Sequence, residues 1–122
     1  MDSQKFNLLL NKLLERTEEG KLTWKTTANR ETFLAVLKGS SISISQDQEF
    51  LLNIDGEPHE SYLFYTFDFR NENGEIIASV DVSEKDEFEE NFKKAEKIFN
   101  LARNQSFKID QTFDRILEQL AA

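Results

Sequence analysis

Apolar side chains recur every three or four positions near the start of the chain. Phe6, Leu9, Leu10, Leu13, Leu14 and Thr17 fall on one side, with Asn7, Lys12, Glu15 and Glu18 on the other. That spacing predicts an amphipathic helix over residues 4–18. Asp2 or Ser3 can cap its start, and Gly20 stands where a left-handed residue closes a helix. The period then drops to two. Lys21 to Lys25 alternates with Leu22 and Trp24 inward. Thr32 to Leu37 reads as a second strand, although its Leu and Ala content also suits a helical turn. Ser41 to Ser45 alternates with serine outside. Gln46 to Glu49 predicts a turn. Phe50 to Ile54 predicts a further strand with Phe50, Leu52 and Ile54 on one face, ahead of a hairpin loop over Asp55 to Glu60.

The strongest sheet signal is Tyr62-Leu63-Phe64-Tyr65-Thr66-Phe67-Asp68-Phe69, followed by Asn71-Glu72-Asn73-Gly74, whose Asn-Gly pair suits a tight hairpin. Beyond it Glu75 to Val82 alternates again. If Arg70 and Glu75 close the turn, Leu63, Tyr65, Phe67 and Phe69 share a face with Ile76, Ala78, Val80 and Val82. The reverse face then holds Tyr62, Phe64, Thr66, Asp68, Ile77, Ser79 and Asp81, about half of them polar. Ser83 can cap a long helix, with Asp86 and Glu87 in its first turn and Phe88, Phe92, Ala95, Phe99 and Ala102 along one side. Asn104 to Lys108 break that pattern. Asp110 then caps a last helix with Phe113, Ile116, Leu117 and Leu120 expected to face inward.

Strands joined by short turns argue for an antiparallel meander, since a parallel pair needs a long crossover. The predicted fold is α+β: an N-terminal helix, an antiparallel β-meander of about five to six strands, and two C-terminal helices packed on one sheet face. No repeat or linker divides the chain, so residues 1–122 read as one domain.

Composition narrows the role without naming it. The chain has 122 residues, no cysteine and a net charge of −8 from 23 acidic and 15 basic side chains. Acidic excess opposes binding to nucleic-acid phosphates or anionic lipid and speeds association with a basic partner. No stretch approaches the ~20 apolar residues that span a bilayer, and the N-terminus lacks a signal-peptide pattern. The expectation is a soluble cytoplasmic protein that binds neither nucleic acid nor membrane.

Candidate chemistry is sparse. Asp55, Glu57, His59 and Glu60 put carboxylates and the sole imidazole in one loop, yet no second histidine completes a ligand set. Asn71 to Gly74 resembles a calcium loop only in part, because Phe69 and Val80 occupy positions that need carboxylates. Gly20-Lys21-Leu22-Thr23 follows a helix, which is the wrong context for a phosphate loop. Lys93, Lys94 and Lys97 share their helix with Glu89, Glu90 and Glu96, forming i,i+4 pairs on a solvated face. No metal, cofactor or catalytic set is therefore assigned, and the chain reads as a non-enzyme. Trp24 reads as a core residue. On the reverse sheet face Tyr62, Phe64 and Ile77 are expected to cluster, joined by Leu51 if its strand is adjacent. Such a patch marks a partner site or a homodimer seam.

The segment Leu13-Leu14-Glu15-Arg16-Thr17-Glu18-Glu19-Gly20-Lys21-Leu22-Thr23-Trp24, with Phe99-Asn100-Leu101-Ala102-Arg103 and the closing helix from Asp110 to Leu120, resembles a group of small bacterial α+β proteins of unassigned function. Their mark is a Leu-rich helix followed by Thr-x-x-Gly-x-Leu-x-Trp. The resemblance implies a bacterial, cytosolic, stand-alone domain and carries no catalytic residue. The functional expectation is a small acidic interaction domain, immunity- or antitoxin-like or chaperone-like, that binds a protein partner or itself through the sheet face. The alternative is a ligand-binding protein or carboxylate-based enzyme with a pocket between sheet and helices.

Overall fold

The amphipathic N-terminal pattern becomes helix α1, Ser3–Glu18, in a computed structural model that describes residues 3–86 and 89–122, and the side chains of all of these except Pro58 and His59. Phe6, Leu10, Leu13 and Thr17 form its buried stripe. Its end is a Schellman motif. The Lys21 amide donates to the Arg16 carbonyl (2.9 Å) and the Gly20 amide to that of Thr17 (3.1 Å), with Gly20 at a φ of 72°.

Five strands follow: β1 Trp24–Thr26, β2 Thr32–Leu37, β3 Ser40–Leu52, β4 Pro58–Asn71 and β5 Ile76–Ser83. They form one sheet in sequence order, with every neighbouring pair antiparallel. Tyr65 pairs with Val82, Phe67 with Val80 and Phe69 with Ala78, so the facing read from the sequence holds at the centre of the sheet. Ile76, expected on the same face, instead pairs with Arg70 beyond a bulge and is exposed. Two helices close the described chain: α2, Glu89–Phe107, and α3, Ile109–Ala121.

The core lies between the inner sheet face and helices α1 and α2. Trp24, Phe33, Ile44, Tyr65 and Phe67 meet Leu10, Ile98 and Phe99 there, all nearly sealed from solvent. Phe6 sets its ring edge against Phe67 at 5.8 Å, and Phe33 does the same to Phe99 at 5.3 Å. Trp24 is core, and its indole N–H donates to the Thr17 hydroxyl at 3.1 Å.

Two features differ from the sequence reading. Ser41–Ser45 and Phe50–Ile54 are not separate strands, because β3 runs unbroken from Ser40 to Leu52. The polar stretch expected to turn stays extended because three of its four side chains find a partner across the hairpin, while Asp47 accepts the amide of its neighbour Gln48 at 2.7 Å. The Gln46 amide donates to the Tyr65 hydroxyl at 3.0 Å, Gln48 donates to Ser61 at 2.9 Å, and Glu49 accepts from Tyr62 at 2.9 Å. Further on, Ser83 and Asp86 make capping-box bonds around a turn, and α2 runs from Glu89. Glu87 and Phe88, predicted for its first turn and inner side, lie outside the described residues.

The two long hairpins share one turn chemistry. In Asn53-Ile54-Asp55-Gly56-Glu57 and in Asn71-Glu72-Asn73-Gly74-Glu75 the asparagine amide donates to the glutamate carbonyl, and its side-chain oxygen accepts two amides of the loop. Both turns need a positive φ, 78° at Gly56 and 80° at Gly74.

Candidate interaction surfaces

The reverse face of the sheet is a lattice of short polar contacts. Thr32 bonds Ser45 (2.9 Å), Thr66 donates to Asp81 (2.7 Å), Ser79 donates to Asp68 (2.6 Å), and Arg70 donates to Ser43 (2.9 Å). These pairs cross all four longer strands and leave the middle of that face hydrophilic. The predicted patch is accordingly divided. Leu51, Tyr62 and Phe64 share the far end of the β3–β4 hairpin, where Tyr62 pairs with Glu49, Phe64 with Asp47 and Leu51 with Glu60. Ile77 lies beside the bulge at Phe69/Arg70, six residues along β4 from Phe64, or about 20 Å of strand. Ile77 therefore does not join the others.

The hairpin end that carries them is a projecting arm. β2 stops opposite Ser45, and the β5 side ends where Glu84 bonds Leu63, so from Glu49 to Tyr62 the ribbon has only two strands. Isolated two-stranded ribbons are marginal in water. This one is held by side chains: the Lys85 ammonium lies 4.8 Å from the Tyr62 ring centroid and 2.6 Å from Glu60. The hydrogen bond to the Glu49 carboxylate pushes the Tyr62 phenol up, because ionisation would set two anions side by side. On the arm's other face Phe50 and Leu52 stay 56% and 60% exposed, and Ile54 stands bare at the tip. Asp55 and Glu57 belong to that tip turn. The His59 side chain of the same predicted cluster lies outside the described residues.

Helix α3 is the second bare apolar element. A single residue, Lys108 at a φ of 53°, turns the chain from α2 into α3. The turn is fixed by Asn104, whose side chain donates to Asp110 (3.0 Å) and accepts the Asp110 amide (3.3 Å). Phe107 anchors the junction, with its ring 5.6 Å from Phe33. Beyond it the expected inward face of α3 is open. Phe113, Ile116, Leu117 and Leu120 are 59%, 45%, 65% and 77% exposed, and α3 has no buried residue. The reason is geometric: α1 and α2 already cover the inner sheet face. Asp110 is not the cap either, since the N-cap position is Lys108 without a side-chain bond.

A third feature is concave. Leu9 and Leu13 of α1, Leu22, Leu37 of β2 and Ile42 of β3 line an apolar groove of about 180 Å³, with Lys12 and Arg16 at its rim. Three larger clefts have mixed polar and apolar linings. One of about 330 Å³ separates Thr17 and Glu18 from Asn104, Lys108 and Asp110. Another, of about 440 Å³, lies between Val36 and Leu37 and the Asn71–Gly74 turn, and the last, of about 450 Å³, lies among Arg30, Glu31, Arg103 and Phe107. These openings lie at the rim of the layers, because Phe33, Tyr65, Phe67 and Phe99 fill the space between sheet and helices. Among the described residues no three His, Asp or Glu side chains converge as metal ligands do, and no helix is long and apolar enough to cross a membrane.

Sequence reasoning missed α3 as a surface because its periodicity is the same whether the stripe is covered or bare. The signal that separates the cases is the count of covering elements: two helices suffice for one face of a five-stranded sheet. No family model, curated protein or solved structure matches the chain.

Proposed function

We propose that this chain is a non-catalytic interaction domain whose working parts are α3 and the β3–β4 arm, and whose ligand is a protein. The observation that carries the reading is the α3 stripe, four large apolar side chains in a row with no cover. Contiguous apolar surface of this kind, rimmed by polar residues, is what protein interfaces are made from. The arm adds Phe50 and Leu52 on one face and Leu51, Tyr62 and Phe64 on the other, so a partner can grip it from both sides. The acidic excess, a net charge of −8, favours docking on a locally basic surface of the partner. An immunity-, antitoxin- or chaperone-like role fits this chemistry.

The test compares the wild type with Phe113→Ser/Leu117→Ser. Each is tagged, expressed in a bacterial cell, purified, and weighed by light scattering on a sizing column. Wild-type protein is expected to hold additional protein mass in fixed stoichiometry, either a partner or a second copy, and the variant to lose it. Equal masses for the two proteins, both those of a lone chain, would remove the proposal.

A further inference from the structure

We infer that α3 is exchanged between two copies of this chain, its apolar stripe lying in the groove beside α1 of the other copy. The inference rests on the reading of α3 as an interaction element and names what it binds.

The groove and α3 match in charge and spacing. Asp110, Asp114 and Glu118 recur every fourth residue, so they form one row along the flank of the Phe113–Leu117 stripe. Lys12 and Arg16 form a row of the same spacing on the groove's rim, about 6 Å from residue to residue in both helices. Both cations already have local partners, Glu15 at 3.1 Å and Glu19 at 3.5 Å. Those are exposed i,i+3 pairs of the weakest kind, and they leave room for a second carboxylate. Two α3 helices laid against each other would instead confront three acids with three, relieved only by Arg115 on each.

The chain cannot use its own α3 in this way. α2 flanks α1 on the side of Asn7 and Glu18, through Asn91–Asn7 at 3.1 Å and Lys97–Glu18 at 3.4 Å. Leu9, Lys12 and Arg16 point to the opposite side of α1, roughly half a turn away at 100° per residue. The α3 root lies beside Thr17 and Glu18, on the α2 side. α1 thus stands between α3 and the groove of the same molecule.

Area favours exchange in both directions. One stripe of four side chains, half to three-quarters bare, offers on the order of 400 Å². A stable interface needs roughly 800 Å² from each partner. Giving one helix and receiving another makes two such contacts per dimer and closes a two-fold assembly, with no stripe left open.

Three full-length proteins test the exchange by sedimentation equilibrium over a dilution series: the wild type, Lys12→Glu/Arg16→Glu, and Asp114→Lys/Glu118→Lys. All four positions are exposed, and far-UV circular dichroism checks that each protein is folded. The wild type is expected to dimerise and each variant to dimerise at least about tenfold more weakly. An equimolar mixture of the two variants is expected to recover the dimer, because each reversed groove then meets a reversed helix and each native groove a native helix. A dimer indifferent to Lys12→Glu/Arg16→Glu would overturn the exchange. So would a wild type that is monomeric throughout. If that monomer still holds a different protein through Phe113 and Leu117, the interaction reading survives without the exchange. If it holds nothing, both fall.

Discussion

Leucine truncated to alanine at three positions separates core from interface by size of effect alone. Leu10 lies at 0% exposure on the inner side of α1, so Leu10→Ala removes a fully buried side chain and leaves a cavity. The expected cost is about 2–5 kcal/mol, a large share of the roughly 5–15 kcal/mol that holds a domain of this size together. Leu117 and Leu120 are 65% and 77% exposed, so about a third and a quarter of each side chain is covered in the lone chain. Scaling a full burial of about 1.5–3 kcal/mol by those fractions gives about 0.3–1 kcal/mol. Alanine's better helix propensity returns part of that, and no cavity term arises where nothing encloses the site. The net cost is under about 1 kcal/mol. Urea unfolding followed by the emission of Trp24, buried against Thr17, reads all three. With a slope of about 1–3 kcal/mol per molar, Leu10→Ala lowers the midpoint by about 1 M or more, and the α3 variants by a few tenths. The comparison is made at a dilution where light scattering reports the monomer, since dimerisation would add a concentration-dependent share. A Leu117→Ala midpoint that drops as far as that of Leu10→Ala, with an unchanged slope, would refute the placement of α3.

Two further outcomes follow from named contacts. Thr17→Val keeps the side-chain volume but leaves the Trp24 indole N–H buried without an acceptor, which is expected to cost about 1–3 kcal/mol in urea unfolding. Burial pushes the Tyr65 phenol up, opposed by the bond from Gln46, so folding favours its protonated form. That contribution is complete below the unfolded value of 10.0 and is lost as pH rises through the higher folded value. Tyr65→Phe is therefore expected to flatten the decline in stability above pH 10, measured as the urea midpoint against pH in a Tyr62→Phe background.

The parts of the fold that could be read from sequence are those where one local signal admits one structure. Gly20 after a leucine stripe gives a Schellman close whatever surrounds it. The Phe-x-Phe alternation of β4 fixes which face is dry, but a slip of two residues keeps that face. The structure sets Phe69 opposite Ala78 where closure at Arg70 and Glu75 would set Ile76. The Gln46 to Glu49 stretch lacks that property, because a run of polar residues is equally a turn or a two-sided wet ribbon. Only the partners Tyr65, Tyr62 and Ser61 decide for the ribbon, and they lie 13 or more residues away. The expected clustering of Ile77 with Tyr62 and Phe64 does not occur, for a related reason. Alternation gives the face of a residue but not its height along the strand, and the bulge at Phe69/Arg70 adds its own shift.

The arrangement of polar and apolar surface also explains why α3 is the element left free. The inner sheet face is fully subscribed by α1 and α2, and the reverse face is locked in Ser, Thr, Asp and Arg pairs that a covering helix would have to desolvate. An apolar helix added after α2 thus has no site on its own sheet with a gain to offer. Open apolar ground remains along the far flank of α1 around Leu9 and Leu37, on the arm, and at the other end of the sheet, where Val36, Ile76 and Ile77 stand near Glu72 and Glu75. The first of these is concave and has a basic rim, whereas the arm is a projecting ribbon and the third lies beside acids. An acidic, convex helix complements the first in both shape and sign, so the same packing that excludes α3 from its own body leaves a place for it on another.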